Sequence, residues 1–285
     1  MHLDQKKSPY LQLGTVANCA KCPSWLSWLP MNLDLDIADF QPPIATSHHT
    51  RPPLMRLTCA GKRYEQGGSS REALRSVDLN IQRGEFAAIV GPSGSGKSAL
   101  MKMLGLLEAP TSGGYHFQGV PEQSLSADQR LWLRRRFFGF VPQEFDLLRS
   151  TSLLGNVALP LMHRGLSAER CQTAAMRALS LVGLGNSGHK MPDGLDNAAH
   201  GKAAIARALV CNPSVLLVDQ ADWASDQPLC TDIGRLLRTL NTEHLITVVL
   251  VTQHGCASAW AQRTVTLNSG AVEQDIQRGA ASALH

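Results

Sequence analysis

Residues 91–98 read Gly-Pro-Ser-Gly-Ser-Gly-Lys-Ser and match the phosphate-binding loop pattern GxxxxGK[ST] at every fixed position. A short apolar run at 86–90 precedes the loop, and a helix-like stretch at 99–107 follows it. The glycines let backbone N–H groups point inward at phosphate oxygens, and the start of the following helix adds its positive dipole end. Strand, loop and helix in this order predict a nucleoside triphosphate site. Lys97 would neutralise phosphate charge there, and Ser98 would offer a hydroxyl to Mg²⁺.

Further apolar runs indicate the fold class. Residues 54–59 and 77–81 read as strands, and two runs near 215–218 and 245–251 are typical of buried strands. Strands that alternate with helical segments indicate an α/β domain with a mostly parallel sheet. Residues from about 125 to 200 are instead rich in helical patterning, which predicts an inserted helical subdomain.

The first 53 residues differ from the rest of the chain. They contain seven prolines and show no clear periodicity, which is typical of an extension without a core of its own. The segment around Trp25 and Trp28 could form a short amphipathic anchor for a membrane or a partner, or its tryptophans could simply touch the main domain. We expect a flexible or partner-docking extension at 1–53, a main domain at 54–275 and a tail at 276–285.

Composition and cysteine spacing exclude several classes of protein. The seven cysteines are odd in number and irregularly spaced, so a disulfide framework is not expected. Cys19 and Cys22 form a CxxC pair without the second pair that a structural zinc site requires. The formal charge of +4 is too small and too dispersed to indicate nucleic-acid binding. Three consecutive arginines at 134–136 are the densest charge run, and we interpret them as a solvated helix face.

Membrane and export signals are also missing from the pattern. No apolar stretch approaches the ~20 residues that span a bilayer, and the first 20 residues lack the apolar core of a signal peptide. The expectation is a cytoplasmic, soluble chain.

A second acidic group belongs to the predicted site. Asp219 ends the apolar run 215–218, and an aspartate at the end of a buried strand can hold Mg²⁺ through water. An ordinary strand-terminal aspartate would look the same, but the phosphate-binding loop favours the metal role.

Taken together, these motifs resemble those of ABC ATPases over about residues 54–275. Within that family the chain looks like the ATP-binding subunits of lipoprotein-release and macrolide-export systems. Residues 139–143 resemble the Q-loop of that branch, 155–161 its continuation, and 205–209 the end of the signature helix. Tyr64 matches the aromatic residue that stacks on adenine.

The resemblance implies an ABC-type P-loop fold, with an antiparallel β subdomain and an inserted helical subdomain beside the parallel sheet. It implies ATP and Mg²⁺ as cofactors, a second ATP-binding domain in a homodimer or heterodimer, and a transmembrane permease subunit on the inner face of the plasma membrane. Nucleic acid is not an expected partner. The residues implied at ATP are Tyr64, Gly91, Ser93, Gly94, Ser95, Gly96, Lys97, Ser98, Ala99 and Gln143, and those implied at Mg²⁺ are Ser98, Gln143 and Asp219.

The chain departs from the family at the signature that grips the partner's ATP. Counted back from 205–209, the five signature positions read Leu-Asp-Asn-Ala-Ala where the family has LSGGQ or LSGGE. Glycine suits positions of close approach or positive φ. A carboxylate facing a γ-phosphate would add repulsion of about 4 kcal/mol at ~4 Å and an effective dielectric near 20. These positions are Leu195, Asp196, Asn197, Ala198 and Ala199.

The chain also departs at the residues that activate water. Gln220 follows Asp219 where the family has a glutamate, and losing a general base costs about 10²- to 10⁴-fold in rate. Gln253 occupies the position of the switch histidine. His254 lies one residue later, where a one-residue shift can turn a side chain to the other face, but it could still swing in as a substitute. Ala99 replaces the usual threonine after Ser98.

The altered positions form a pattern. Groups that hold phosphate and metal are kept, while groups that activate water and grip the partner's ATP are changed. Drift would be expected to alter the phosphate-binding loop as well; the alternative is ATP binding without efficient turnover. In a homodimer both sites would carry every defect, whereas in a heterodimer with an intact partner the defects would divide between the two sites.

Three functions therefore stay open. The first is an ATP-binding subunit of an ABC-type membrane transport complex with weak or absent hydrolysis. The second is a regulatory or scaffolding pseudo-ATPase that docks to a membrane partner. The third is an active transporter ATPase that uses substitute catalytic residues such as His254.

Overall fold

The computed structural model describes residues 52–67, 69–220, 227–253 and 258–278, all within the unit His49–His285. The CxxC pair, the two N-terminal tryptophans, His254 and the side chain of Gln220 lie outside the described part.

A six-stranded sheet forms the centre of the domain, in the order β10-β9-β3-β8-β7-β6. The five strands from β9 to β6 pair in parallel, and only β10 runs antiparallel, against β9. This confirms the mostly parallel α/β sheet that the sequence predicts. The strands are β3 (Phe86–Val90), β6 (Phe138–Val141), β7 (Val215–Gln220), β8 (Thr247–Thr252), β9 (Arg263–Asn268) and β10 (Ala271–Gln277).

A second sheet is antiparallel and has the order β2-β1-β4-β5. Register shifts interrupt the pairing of β1 with β2 at three points, so the long hairpin is bulged. Beyond the bulges, Tyr64 on β1 lies opposite Arg71 on β2. The strands are β1 (Met55–Gln66), β2 (Ser69–Ile81), β4 (Ser112–Phe117) and β5 (Val120–Pro121).

Helices α2 to α5 start at side-chain caps that the sequence contains. Ser126 and Gln129 form a reciprocal capping box at the start of α2, and Ser152 and Ser167 cap α3 and α4. Helices α3, α4 and α5 pack on one another. The helices are α1 (Lys97–Leu104), α2 (Ala127–Phe137), α3 (Leu153–Met162), α4 (Ala168–Leu181), α5 (Asn197–Leu209) and α6 (Gln227–His244). Among them, none is both long and apolar enough to cross a bilayer.

The parallel sheet separates two apolar cores. Successive residues of β7 and β8 alternate between them: Leu216 and Val248 face the core built with α3 to α6, while Leu217 and Val249 face the core built with α1 and the antiparallel sheet. Strands buried on both faces must be apolar at every position, which explains the unbroken apolar runs in the sequence.

Three boundaries differ from the prediction. Helix α1 ends at Leu104 because Gly105 caps it and Leu106 has φ of 56°. The span 125–200 is not wholly helical, since strand β6 lies inside it at the edge of the central sheet. The domain also continues past residue 275, because Ile276 and Gln277 pair with Thr264 and Arg263 of β9.

Candidate functional site

A polar cleft of about 540 Å³ lies at the carboxyl ends of the parallel strands. The loop 91–96 follows β3, Gln143 follows β6, Asp219 is the penultimate residue of β7, and Gln253 follows β8. Carboxyl ends of parallel strands meet at one edge of a sheet, which is where α/β folds place ligand sites. The cleft is lined by Tyr64, Ser69, Arg71, Ala73, Ser93, Gly94, Gly96, Lys97, Ser98, Ala99, Lys102, Gln143, Asp219, Thr252 and Gln253.

The loop 91–96 has a shape that only glycine permits at two places. Gly96 has φ of 100°, and a Cβ there would stand 2.3 Å from the carbonyl oxygen of Ala73. A Cβ on Gly91 would stand 2.2 Å from the carbonyl oxygen of Leu267. Both values are far below contact distance. At these two glycines the loop therefore packs directly against neighbouring backbone, while Ser93, Gly94 and Gly96 line the cleft.

Lys97 begins helix α1 and points back over the loop. Its ammonium group donates to the carbonyl oxygens of Gly91 at 2.8 Å and Pro92 at 2.6 Å. Burial lowers the pKa of Lys97, and attraction to Asp219 opposes that shift. The cation is thus positioned at the loop with the carboxylate close enough to interact with it.

The site fits a polyphosphate and a hard cation. The cap residue Gly96 has no side chain to occupy the first-turn N–H groups of α1, so these donors face the cleft. Lys97, Arg71 and Lys102 add positive charge around them. The hydroxyl of Ser98, the amide oxygen of Gln143 and the carboxylate of Asp219 are the oxygen ligands that Mg²⁺ prefers.

Two of the predicted phosphate-loop residues do not line the cleft. Ser95 is only 2 % exposed, its carbonyl accepts from the N–H of Gly270 at 3.0 Å, and its hydroxyl has no hydrogen-bond partner among the described residues. Gly91 packs against Leu267. Both therefore support the loop on the side away from the cleft, whereas the other residues predicted to hold ATP and Mg²⁺ line the cleft.

The degenerate signature lies at the start of α5, away from this cleft. Asp196 is the cap residue, and its carboxylate accepts the N–H of Ala199 at 2.7 Å. Asn197 and Ala198 begin the helix, and neither has positive φ. Positive φ is therefore no reason for glycine here, which leaves close approach as the reason. None of the five residues 195–199 lines the cleft.

Gln253 lies at the cleft directly after β8 and is exposed. The backbone of Gln220 ends β7, one residue after Asp219.

The surroundings of Tyr64 are not predicted by the sequence. Its hydroxyl donates to a carboxylate oxygen of Glu108 at 2.6 Å. Burial, together with this hydrogen bond and the charge of Glu108, raises the pKa of Tyr64 to about 12. Arg71 and Lys102, which also line the cleft, were missed as well. Only the cross-strand register could have revealed Arg71, because it reaches the site as the partner of Tyr64.

Arg207, which the sequence does not predict either, fixes the loop after Gln143. Phe145 and Asp146 have φ of 60° and 45°, a left-handed conformation that ordinary residues rarely adopt. Arg207 of α5 donates to the carbonyl oxygens of Phe145 at 2.6 Å and Asp146 at 2.5 Å. The signature helix is thereby tied to the loop that carries Gln143.

Comparison with known proteins places this geometry in a family. Residues 74–222 match the family model described as ABC transporter. The chain is 39 % identical over 235 residues to the macrolide export ATP-binding/permease protein MacB 1/2 of Paracoccus denitrificans, which covers 82 % of this chain and 35 % of that protein. It is 37 % identical to the pyoverdine export ATP-binding/permease protein PvdT of Pseudomonas aeruginosa, with 79 % of this chain and 35 % of that protein covered. The chain thus spans about a third of the length of the curated relatives it matches.

Solved structures give the same result. A dimeric post-hydrolysis state of the ATP-binding cassette MJ0796, bound to ADP and Pi, superposes with a TM-score of 0.71 at 36 % identity. The match covers 79 % of this chain and 99 % of the cassette.

Proposed function

The chain belongs to the ABC transporter family, and from that membership we propose that it is the ATP-binding subunit of a membrane export complex that holds Mg-ATP and hydrolyses it slowly or not at all. The observation that carries this proposal is the cleft itself. Lys97, Ser98, Gln143 and Asp219 line it together, while the position after Asp219 holds a glutamine and the position after β8 holds Gln253.

The binding half of the site uses residues that the chain retains. Loop N–H groups and Lys97 would hold the β- and γ-phosphates, and the ring of Tyr64 would stack on the base. Ser98, Gln143 and Asp219 would hold Mg²⁺. When bound, Mg²⁺ supplies Lewis-acid polarisation of the phosphate oxygens.

The hydrolytic half holds amides at the two positions where the family has a glutamate and a histidine. An amide side chain such as that of Gln220 can orient water by hydrogen bonding but cannot take its proton. Gln253, exposed at the cleft, is likewise a neutral amide that cannot accept a proton from water. Loss of the general base alone predicts a rate about 10²- to 10⁴-fold below that of an intact site.

Partners follow from the relatives. The curated relatives carry an ATP-binding part and a permease in one chain by name, and the cassette MJ0796 is dimeric. We infer that this chain works with a transmembrane permease subunit and a second ATP-binding domain, on the inner face of the plasma membrane. Residues 1–53 would serve as a partner-docking or flexible extension.

The fate of bound nucleotide tests the proposal. The purified chain, loaded with Mg-ATP and freed of excess, should retain intact ATP over hours. Gln220→Glu should restore hydrolysis when the permease and partner domain are present. Gln172→Glu adds the same charge on the exposed face of α4, outside the cleft, and should leave turnover unchanged. Conversion of ATP to ADP by the unaltered chain at an ordinary transporter rate would contradict the proposal and point to a substitute base.

A further inference from the structure

One carboxylate beside the cleft collects three donors. Glu108 accepts from the hydroxyl of Tyr64 at 2.6 Å, and its oxygens lie 3.2 Å from the ammonium groups of both Lys62 and Lys102. Burial acts to raise the pKa of Glu108, but the hydrogen bonds from these three donors and the charge of Lys102 outweigh it, so the pKa is lowered and Glu108 stays ionised. Its side chain is 25 % exposed, so water screens these contacts only partly.

The three donors come from two elements, strand β1 and helix α1. Tyr64 and Lys62 lie on the same face of β1, and the ammonium of Lys62 is 5.3 Å from the centre of the Tyr64 ring. Lys102 lies in the last turn of α1, the helix that begins with Lys97. Glu108 follows that helix, and Lys62 also donates to the neighbouring carbonyl of Ala109 at 2.9 Å. The carboxylate thus ties the strand that carries the ring to the helix that begins at the phosphate loop.

We propose that Glu108, which does not line the cleft, is a positioning residue that holds the Tyr64 ring as a platform for the nucleobase. This inference rests on the proposed function, since it presupposes a nucleotide whose phosphates bind at Lys97. An aromatic ring stacks on a base through its face, and a ring free to rotate about its side-chain torsions loses part of that contact. The hydrogen bond from the Tyr64 hydroxyl to Glu108 fixes one end of the ring, and attachment to strand β1 fixes the other.

The chemistry requires a carboxylate. An ionised glutamate accepts at two oxygens, which is enough for one hydroxyl and two ammonium groups. A glutamine at 108 would offer one acceptor oxygen, and its NH₂ group would face the lysine ammonium groups as donor against donor. Glu108→Gln should therefore release Tyr64 while conserving the volume of the side chain.

Affinity for two compounds separates positioning from stability. Calorimetric titration of the full chain with Mg-ATP and with Mg-tripolyphosphate compares a ligand that has a base with one that lacks it. Glu108→Gln should weaken Mg-ATP binding about tenfold, the magnitude expected for loss of a charge-assisted hydrogen bond. Tripolyphosphate should bind as well as before or better, because Lys102 loses its carboxylate partner. Glu72→Gln is the matched control. It removes an equal charge from the antiparallel sheet that carries Tyr64, where Glu72 pairs with Arg63 and Arg75 outside the cleft, and should not change the ratio of the two affinities.

A double variant tests whether Glu108 acts through Tyr64. Tyr64→Phe keeps the ring and removes its hydroxyl, so it should weaken Mg-ATP binding on its own, and adding Glu108→Gln should weaken it little further. Equal losses for Mg-ATP and tripolyphosphate in Glu108→Gln, or additive losses in the double variant, would overturn the positioning role. If the unaltered chain bound both compounds equally tightly, the platform would be overturned while the proposed function stood. If it bound neither, the proposed function would fall.

Discussion

Single glycines in this chain are required for two different reasons. Gly96 has φ of 100° and no room for a Cβ, Gly165 has φ of 78° with open space around it, and Gly194 has neither restriction. Gly194→Ala should leave the free energy of unfolding nearly unchanged. Gly165→Ala should lower it by about 1–2 kcal/mol, the cost of a left-handed conformation for an ordinary residue. Gly96→Ala should lower it by about 3 kcal/mol or more and abolish nucleotide binding, because both reasons apply.

Urea unfolding of the three variants measures the differences in the free energy of unfolding, and titration with Mg-ATP measures the loss of nucleotide binding. Equal losses in Gly96→Ala and Gly165→Ala would mean that the close contact with Ala73 is relieved by movement of the loop.

At the same scale, the sequence predicts residues whose chemistry is local. Lys97 and Ser98 belong to one contiguous motif, and Asp219 directly ends an apolar run, so a reader of the sequence finds all three. Glu108 is 44 positions from Tyr64, and Arg71 reaches the cleft only because three register shifts in the hairpin place it opposite Tyr64. No pattern in a single sequence encodes those shifts.

Elements are predicted well where burial dictates composition. Strands β3, β7 and β8 are buried on both faces, and their apolar runs appear in the sequence with nearly correct ends. Strand β6 has only four residues, lies at the sheet edge and directly follows α2, so the helical pattern around it hides it in the sequence. The early end of α1 depends on the conformation at Gly105 and Leu106, which the apolar pattern around them does not reveal.

Helix α5 also stabilises the loop after Gln143, through the hydrogen bonds of Arg207. Arg207→Ala would leave the carbonyls of Phe145 and Asp146 without this donor in a left-handed turn that needs it. We expect a loss of about 1.5–3 kcal/mol in the free energy of unfolding, the range for hydrogen bonds that involve a charged group. Amide exchange of residues 143–148 should rise more than exchange elsewhere.

Arg177→Ala on the exposed face of α4 is the matched control and should change neither quantity. A uniform rise in exchange along the chain after Arg207→Ala would show a general loss of stability instead of a local anchor. Hydrogen–deuterium exchange followed by mass spectrometry resolves the two outcomes.

At the scale of the whole molecule, the signature is separated from the residues that would hold ATP and Mg²⁺ in the same domain. The cleft contains the phosphate loop, Gln143 and Asp219, while the start of α5 lies outside its wall. The signature of one domain therefore lies outside the cleft that would hold the nucleotide of that domain. The altered residues at 196–198 would act on a nucleotide held by a second domain, so their effect belongs to association.

The association of two ATP-binding domains in the presence of nucleotide is therefore the property that the signature should control. Asp196 would bring a carboxylate toward the partner's γ-phosphate, and the side chains of Asn197 and Ala198 would occupy space that glycines leave open. We expect the unaltered chain to remain monomeric in Mg-ATP. The triple variant Asp196→Ser, Asn197→Gly, Ala198→Gly should dimerise in Mg-ATP and not in Mg-ADP, as light scattering coupled to size-exclusion chromatography would measure.

Serine retains the helix cap, and the two glycines cost up to about 1 kcal/mol each in helix propensity, so circular dichroism should verify folding. Asp193→Ser removes a nearby exposed carboxylate outside the signature and should leave the chain monomeric. Dimerisation of the unaltered chain in Mg-ATP would mean that Asp196 is accommodated at a phosphate, and would favour a homodimer over pairing with an intact partner.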